Sequence, residues 1–204
     1  MQVILVLKKI NVAYLQSMKA GFTVIELLVV IAIIGIVSTI TVANYPEFRR
    51  SLAVEREAQI VALTLRDAEA RAISVRRVDT SFTVPFGVHF VPGIQYVIFS
   101  DNNGNGIYDS GVAAGELLET IQMSRHTKIN NLCAGAKNTP AGPCNLSALS
   151  VIFKRPSPTV EARVSAGAPL THGNFEVDVY SDDNNLKKRI TVWTTGAITI
   201  EKLP

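Results

Sequence analysis

The chain has 204 residues, 48 % of them hydrophobic, which is enough for one ordinary domain with a real core plus an appendage. Its formal charge of +3 resides in the first 21 residues, where Lys8, Lys9 and Lys19 stand with no acid; from Phe22 onward 17 basic residues balance 17 acidic ones. That neutral remainder argues against a nucleic-acid binder driven by net charge and leaves only local patches to consider.

The first element after those lysines is an apolar run. Residues 22–43 are nearly all Val, Ile, Leu and Ala, and about 20 such residues cross the hydrocarbon of a bilayer as a helix. The alternative is a cleaved secretory signal, whose apolar region runs to about 7–15 residues before a small-residue cleavage site, whereas this run is longer and merges into another helix. Lys8, Lys9 and Lys19 before the span favour a cytoplasmic N-terminus, Arg49 and Arg50 after it weaken that preference, and Tyr45 suits a membrane interface. One acid, Glu26, stands inside the run. Asn44 and Pro46 predict a kink or a short unwound turn at the membrane exit. Beyond it Val54, Ala58, Val61, Leu65, Ala68, Ala72 and Val75 recur at steps of four and three, so one helical face continues to about Arg77, with Asp67 and Arg71 as a supporting pair four apart.

From Thr80 the period changes to two. "SFTVPFGVHF", "IQYVIFS", "LLETIQM", "SVIFKR", "NFEVDVYS", "KRITVWT" and "AITIE" read as strands separated by Gly, Pro, Asn and Asp clusters. Phe175, Val177 and Val179 alternate with Glu176, Asp178 and Tyr180, the pattern of an antiparallel sheet with one wet face. Thr194 to Ala197, "TTGA", predicts a tight hairpin between the last two strands. The expectation is an α+β protein: a leader, a long helix, then an all-β head.

"KAGFTVIELLVVIAIIGIV" resembles the N-terminus of type IV prepilins and type II secretion pseudopilins, with a basic leader, Gly21 before the cut, Phe22 as the new N-terminus and an acid fifth in the mature chain. The rest, with "YVIFSDNNGNGIYDSG" in the middle and "ITVWTTGAITI" at the end, is similar to the GspH/FimT group of minor pilins and pseudopilins. The resemblance implies a pilin-like fold, cleavage by a prepilin peptidase between Gly21 and Phe22, methylation of the Phe22 amine, and pairing of Glu26 with the amine of a neighbouring subunit. Such pairing gives the acid a reason, because a carboxylate within a bilayer costs several kcal/mol unless it is paired; the alternatives are a protonated acid or one that reaches water. The family's usual kinking proline lies nearer the middle of the helix than Pro46 does. The leader is long if Met1 is the start, and Met18, which gives the short basic leader "MKAG", is the alternative start.

"DNNGNGIYD" places Asp101, Asn103, Asn105 and Asp109 at positions one, three, five and nine of an EF-hand loop, with Gly106 sixth and the Ile107 carbonyl seventh. The acid due at position twelve is missing: Val112 stands there, and Glu116 comes four later. A polar turn built on Asx hydrogen bonds and a weak Ca²⁺ site, the one cofactor considered, both remain open. His89, His126 and His172 show no ligand spacing, and no nucleophile elbow, phosphate loop or paired-cysteine zinc pattern occurs, so nothing argues for catalysis. Cys133 and Cys144 bound the segment "CAGAKNTPAGPC", read as a surface loop. In an oxidising compartment they are expected to form a disulfide worth about 3 kcal/mol; in the cytosol they would be free thiols.

The organisation read from the sequence is a leader at 1–21, a transmembrane half-helix at 22–43, an amphipathic half-helix at 44–77 and a periplasmic β-rich head at 78–204. By the resemblance it is a non-enzymatic minor pilin or pseudopilin of the inner membrane. Its expected partners are other pilins, the prepilin peptidase, the assembly platform and the bilayer. The rival function is a DNA receptor, for which relatives use a basic motif after the glycine of the last hairpin. Here Gly196 is followed by Ala197, Ile198 and Thr199, so DNA is not an expected partner; Arg155, Arg163 and Arg189 are the arginines to consider should binding occur.

Overall fold

The computed structural model describes residues 21–74, 84–111, 115–137, 142–154, 159–164 and 169–203. The expectations for the leader, for the helix beyond Ser74, for the first residues of "SFTVPFGVHF", and for Val112 and Arg155 lie outside the described residues. Contacts divide the chain into two compact units after Pro46.

Helix α1 runs through Val24–Ile73, 50 residues. Its first part, Val24–Val42, has a mean hydropathy of 2.6 and buries none of its length within the protein, so its apolar surface is available to lipid. The Thr39 and Thr41 hydroxyls there donate to the Gly35 and Val37 carbonyls at 2.8 and 2.7 Å, which spares the polar groups a separate partner in hydrocarbon. The unwound turn expected at Asn44 and Pro46 is not formed, and the helix includes Pro46. A proline forfeits a single intrahelical hydrogen bond and crowds the turn before it, and regular helix continues on both sides.

In the second unit the predicted stripe of α1 is the buried one: Val54, Ala58, Val61, Leu65, Ala68 and Ala72 are all at most 2 % exposed. Glu57 and Thr64 are buried on the same face and are satisfied there, Glu57 Oε2 accepting from the Ser124 N–H at 3.0 Å and Thr64 Oγ1 lying 3.3 Å from the Tyr96 hydroxyl. The head has two antiparallel sheets. One is ordered β3-β2-β1-β5-β6, from Leu117–Gln122, Gln95–Ser100, Phe86–Phe90, Leu149–Lys154 and Thr159–Arg163. The other is ordered β4-β7-β8-β9, from Thr127–Ala134, Asn174–Ser181, Lys187–Trp193 and Ile198–Lys202. Phe86, Val88, Phe90, Leu149, Val151 and Phe153 of the first and Phe175, Val177, Val179, Ile190 and Val192 of the second join the α1 stripe in one core. The first strand starts only after Pro85, which has no N–H to give a ladder.

Two strands escaped the sequence reading. In β4 the register shifts between Ile129 and Asn131, so Asn130 is bulged out and the two-residue alternation breaks mid-strand. β6 is a five-residue edge. The expected wet face of β7 is also corrected, because Glu176 and Asp178 are 0 % exposed. The hairpin at Thr194 to Ala197 is as expected, closed by the Trp193 N–H on the Ala197 carbonyl at 2.8 Å with Gly196 at φ 85°.

Candidate functional site

The N-terminal site is built on the start of α1. Gly21 and Phe22 precede the helix and Phe22 is 80 % exposed. Thr23 is the residue before the first helical position, and its Oγ1 accepts the Glu26 N–H at 3.3 Å. Thr23 and Glu26 therefore have the spacing of a capping box, and the acid sits in the first turn, where the helix dipole favours negative charge. The T-x-x-E pattern that initiates a helix is thus present at Glu26 beside the subunit pairing expected of that acid.

A second constellation lies between β2 and β3. Asp101 follows the last residue of β2, and the Ser100 N–H donates to the Glu116 carbonyl at 2.9 Å, so strand pairing sets the two acids on neighbouring chain ends. Asp101 Oδ2 accepts the Gly106 N–H at 3.0 Å and Glu116 Oε2 accepts the Asp109 N–H at 2.9 Å. Asn103 Oδ1 and Asn105 Oδ1 each accept the backbone N–H two residues on, at 2.9 and 2.7 Å, which makes the Asx turns expected for this composition. Both asparagines also donate an amide N–H to Asp109 Oδ2, at 2.7 and 2.9 Å. The loop is seated on the outer face of the five-stranded sheet: the Tyr108 ring packs 5.4 Å from His89 and 5.7 Å from Phe99. Gly106, at φ 75°, lies where a Cβ would meet Arg163 Nε at 2.5 Å. Burial raises the pKa of Asp101 and of Glu116; for Glu116 the negative charges of Asp109 and Asp101 add to it. Among the described residues no group of three or more His, Cys, Asp or Glu side chains is placed to hold a metal ion.

The third constellation is the cystine loop. Cys133 and Cys144 are bonded, closing a separation of 11 residues. Cys133 stands opposite Glu176 in the β4–β7 ladder, so the loop departs on the polar face of that sheet and is more than a surface loop. The Ala136 N–H donates to Glu176 Oε2 at 3.2 Å, and Asn174 Nδ2 donates to Glu176 Oε1. Asp178 is held by Arg189 through two bonds of 2.6 and 2.7 Å and by Asn131 Nδ2 at 2.9 Å, while Asn131 Oδ1 accepts the Asn145 N–H at 3.0 Å. The returning leg runs beside β4, with Ala134 N–H on the Pro143 carbonyl at 2.8 Å and Leu146 N–H on the Leu132 carbonyl at 3.1 Å. It can approach because residue 142 is glycine: a Cβ there would stand 1.8 Å from the Ala134 carbonyl oxygen. Burial pushes the Glu176 pKa up.

The histidines are dispersed as expected. His89 Nδ1 lies 2.8 Å from Ser150 Oγ, His126 Nδ1 lies 2.8 Å from Asp182 Oδ2, and His172 packs against Gly142. At the last hairpin, Arg66 donates to the Gly196 carbonyl at 3.0 Å and pairs with Glu69 at 2.7 Å. Arg189 is committed to Asp178, and Arg163 lies against Gly106.

Residues 16–42 match the family model described as the prokaryotic N-terminal methylation motif. Two curated proteins called fimbrial protein, both from Pseudomonas aeruginosa, are each 26 % identical to this chain over 139 residues, 66 % of this chain and 90 % of theirs. No solved structure matches. A methylation motif opening an exposed apolar helix, followed by a helix packed on antiparallel sheets, is consistent with an α+β pilin-like fold. The motif and the two fimbrial proteins together support a type IV pilin-like protein.

Proposed function

We propose that the protein is a minor pilin or pseudopilin of the GspH/FimT type, a structural and assembly-initiating subunit of a type IV pilus or type II secretion pseudopilus. A prepilin peptidase cuts between Gly21 and Phe22 and the Phe22 amine is methylated. The span holds the subunit in the inner membrane with its N-terminus cytoplasmic and its head periplasmic. The assembly platform passes it to other pilins, where Glu26 pairs with the α-amine of a neighbour. The observation that carries this reading is Glu26 itself, an acid in the first turn of a 19-residue apolar helical segment that is not buried within the protein. Helix capping alone explains an acid at that position on a soluble helix, but it does not repay the cost of a carboxylate in lipid.

Glu26→Val and Glu26→Gln separate these roles. Glutamine at the third helical position preserves the capping pattern and removes the charge. Both variants are expected to insert and to lose the leader, seen as a mobility shift on membrane fractions, yet to be absent from sheared filaments. Gly21→Val is expected to leave a full-length membrane precursor, because the peptidase requires a small residue at the cut. Filaments that incorporate Glu26→Gln at the wild-type level would show that the charge has no part in assembly.

A further inference from the structure

We propose that the loop from Asp101 to Asp109 binds Ca²⁺ and that Glu116, carried back by the β2–β3 pairing, supplies the acid that an EF-hand loop takes from its twelfth position. Two observations beyond the loop's spacing point to a cation. Asp101 and Glu116 are each 1 % exposed; the N–H groups of Gly106, Gly104 and Asn105 favour the Asp101 carboxylate and those of Asp109 and Asn102 the Glu116 carboxylate, yet Asp101 Oδ1 and Glu116 Oε1 are buried with no hydrogen bond of ordinary geometry. A buried unpartnered carboxylate oxygen is costly, and here there are two on one loop.

The bonds that are made place these oxygens. Asp101 Oδ2 is fixed to Gly106 at the middle of the loop and Glu116 Oε2 to Asp109 at its end, so the two carboxylates reach into the loop from its opposite ends. Asp109 stands beside them, its Oδ2 gathering the amide N–H groups of Asn103 and Asn105. The Asn103 and Asn105 amide oxygens each keep a second lone pair while accepting a backbone N–H, and with the Ile107 carbonyl they add neutral hard donors to the set. Ca²⁺ takes 6–8 such oxygens from carboxylates, amides and backbone together, which is why a set drawn largely from carbonyl groups suits it better than it suits zinc. Lys154 favours the ionised form of Asp101 but is itself paired with Glu161 at 2.7 Å, and the Arg163 side chain lies against Gly106. The loop is seated on the sheet through Tyr108 and Gly106, so a cation held in it ties the β2–β3 connection to the outer face of the five-stranded sheet.

The test uses the full chain in detergent, freed of divalent ions by chelation and then titrated with CaCl₂, with MgCl₂ as the control. With two carboxylates, Asp101 and Glu116, and several neutral donors the expected dissociation constant is on the order of 10⁻⁴–10⁻³ M. At tenfold excess over that value the melting temperature is expected to rise by about 3–6 °C. Glu116→Gln removes the charge and keeps the hydrogen bond to Asp109, so it is expected to fold, to melt no lower than wild type without calcium, and to lose the calcium-dependent rise. Tb³⁺ gives an independent readout: Tyr108 sits within the loop and is expected to sensitise its luminescence, with Ca²⁺ competing it away and Tyr108→Phe dimming it. A wild-type melting temperature that is the same in calcium, magnesium and chelator overturns the proposal. So does a Glu116→Gln variant that keeps the full rise, or Tb³⁺ emission untouched by Tyr108→Phe.

Discussion

The loop between Cys133 and Cys144 and the loop between Asp101 and Glu116 each cover the outer face of a sheet, the first over Glu176 and Asp178, the second over Phe99 and Ile152. They are closed by different means. The first is joined covalently, and the acids beneath it are neutralised by Arg189 or hydrogen-bonded to Ala136, Asn131 and Asn174. The second lies over apolar groups and gathers its acids into its own interior, where two oxygens are left over. A buried acid can thus be satisfied by what the fold brings to it, or it can leave coordination to be completed from solution. In this head the acids under the covalent staple have partners within the fold, Asp178 an ion pair and Glu176 hydrogen bonds.

The comparison is broken most severely by removing the match beneath the cystine loop. Arg189→Met leaves Asp178 buried and unpaired and is expected to cost about 3–5 kcal/mol in denaturant unfolding, with Asp178→Leu on the same background restoring much of it. If Arg189→Met alone costs less than about 1 kcal/mol, the guanidinium is a bystander and the carboxylate is held by Asn131 alone. Replacing Cys133 and Cys144 together by serine is expected to cost about 3 kcal/mol and to leave the calcium response of the other loop intact, since the two loops lie on different sheets. A calcium response that vanishes with the disulfide would show that the loops are not independent.

The smallest effect is in the pH dependence. Burial raises the folded-state pKa of Glu176, so the folded protein holds this proton more tightly than the unfolded chain does. Stability therefore falls as pH rises from the ordinary glutamate range through the elevated folded value, and the loss is complete above it. Glu176→Gln removes this contribution, and its stability relative to wild type is expected to increase over the same pH interval. An unchanged difference across that interval would mean that the folded and unfolded chains hold this proton equally.

The helix stripe was legible because each buried apolar position from Val54 to Ala72 obeys the helical period and the packing partners are apolar whatever their identity. The strands with clean alternation were legible for the same reason. β4 was not, because the bulge at Asn130 shifts the register and places Asn131, a turn-forming residue, at a position where it bridges Asp178 and Asn145. The burial of Glu176 and Asp178 was illegible because alternating acids read as a wet face, and only the arrival of the cystine loop and Arg189 covers them. Glu116 was visible as an acid four places late. What returns it to the loop is the pairing of Ser100 with it, a contact across the β2–β3 connection that no local spacing encodes.

The order of strands in the two sheets has a consequence for crowding. Their outermost strands are β3 and β6 in one and β4 and β9 in the other, and an outermost strand offers unpaired backbone groups to any other extended chain. Here β3 carries Glu119, β6 carries Glu161 and Arg163, and β9 ends in Glu201 and Lys202, while β4 has its free side occupied by the returning leg at Pro143 and Leu146. Heads packed side by side at high local concentration therefore meet charge or occupied backbone at every margin. Each margin is a poor template for strand addition, so the sheets stay separate when the molecules do not.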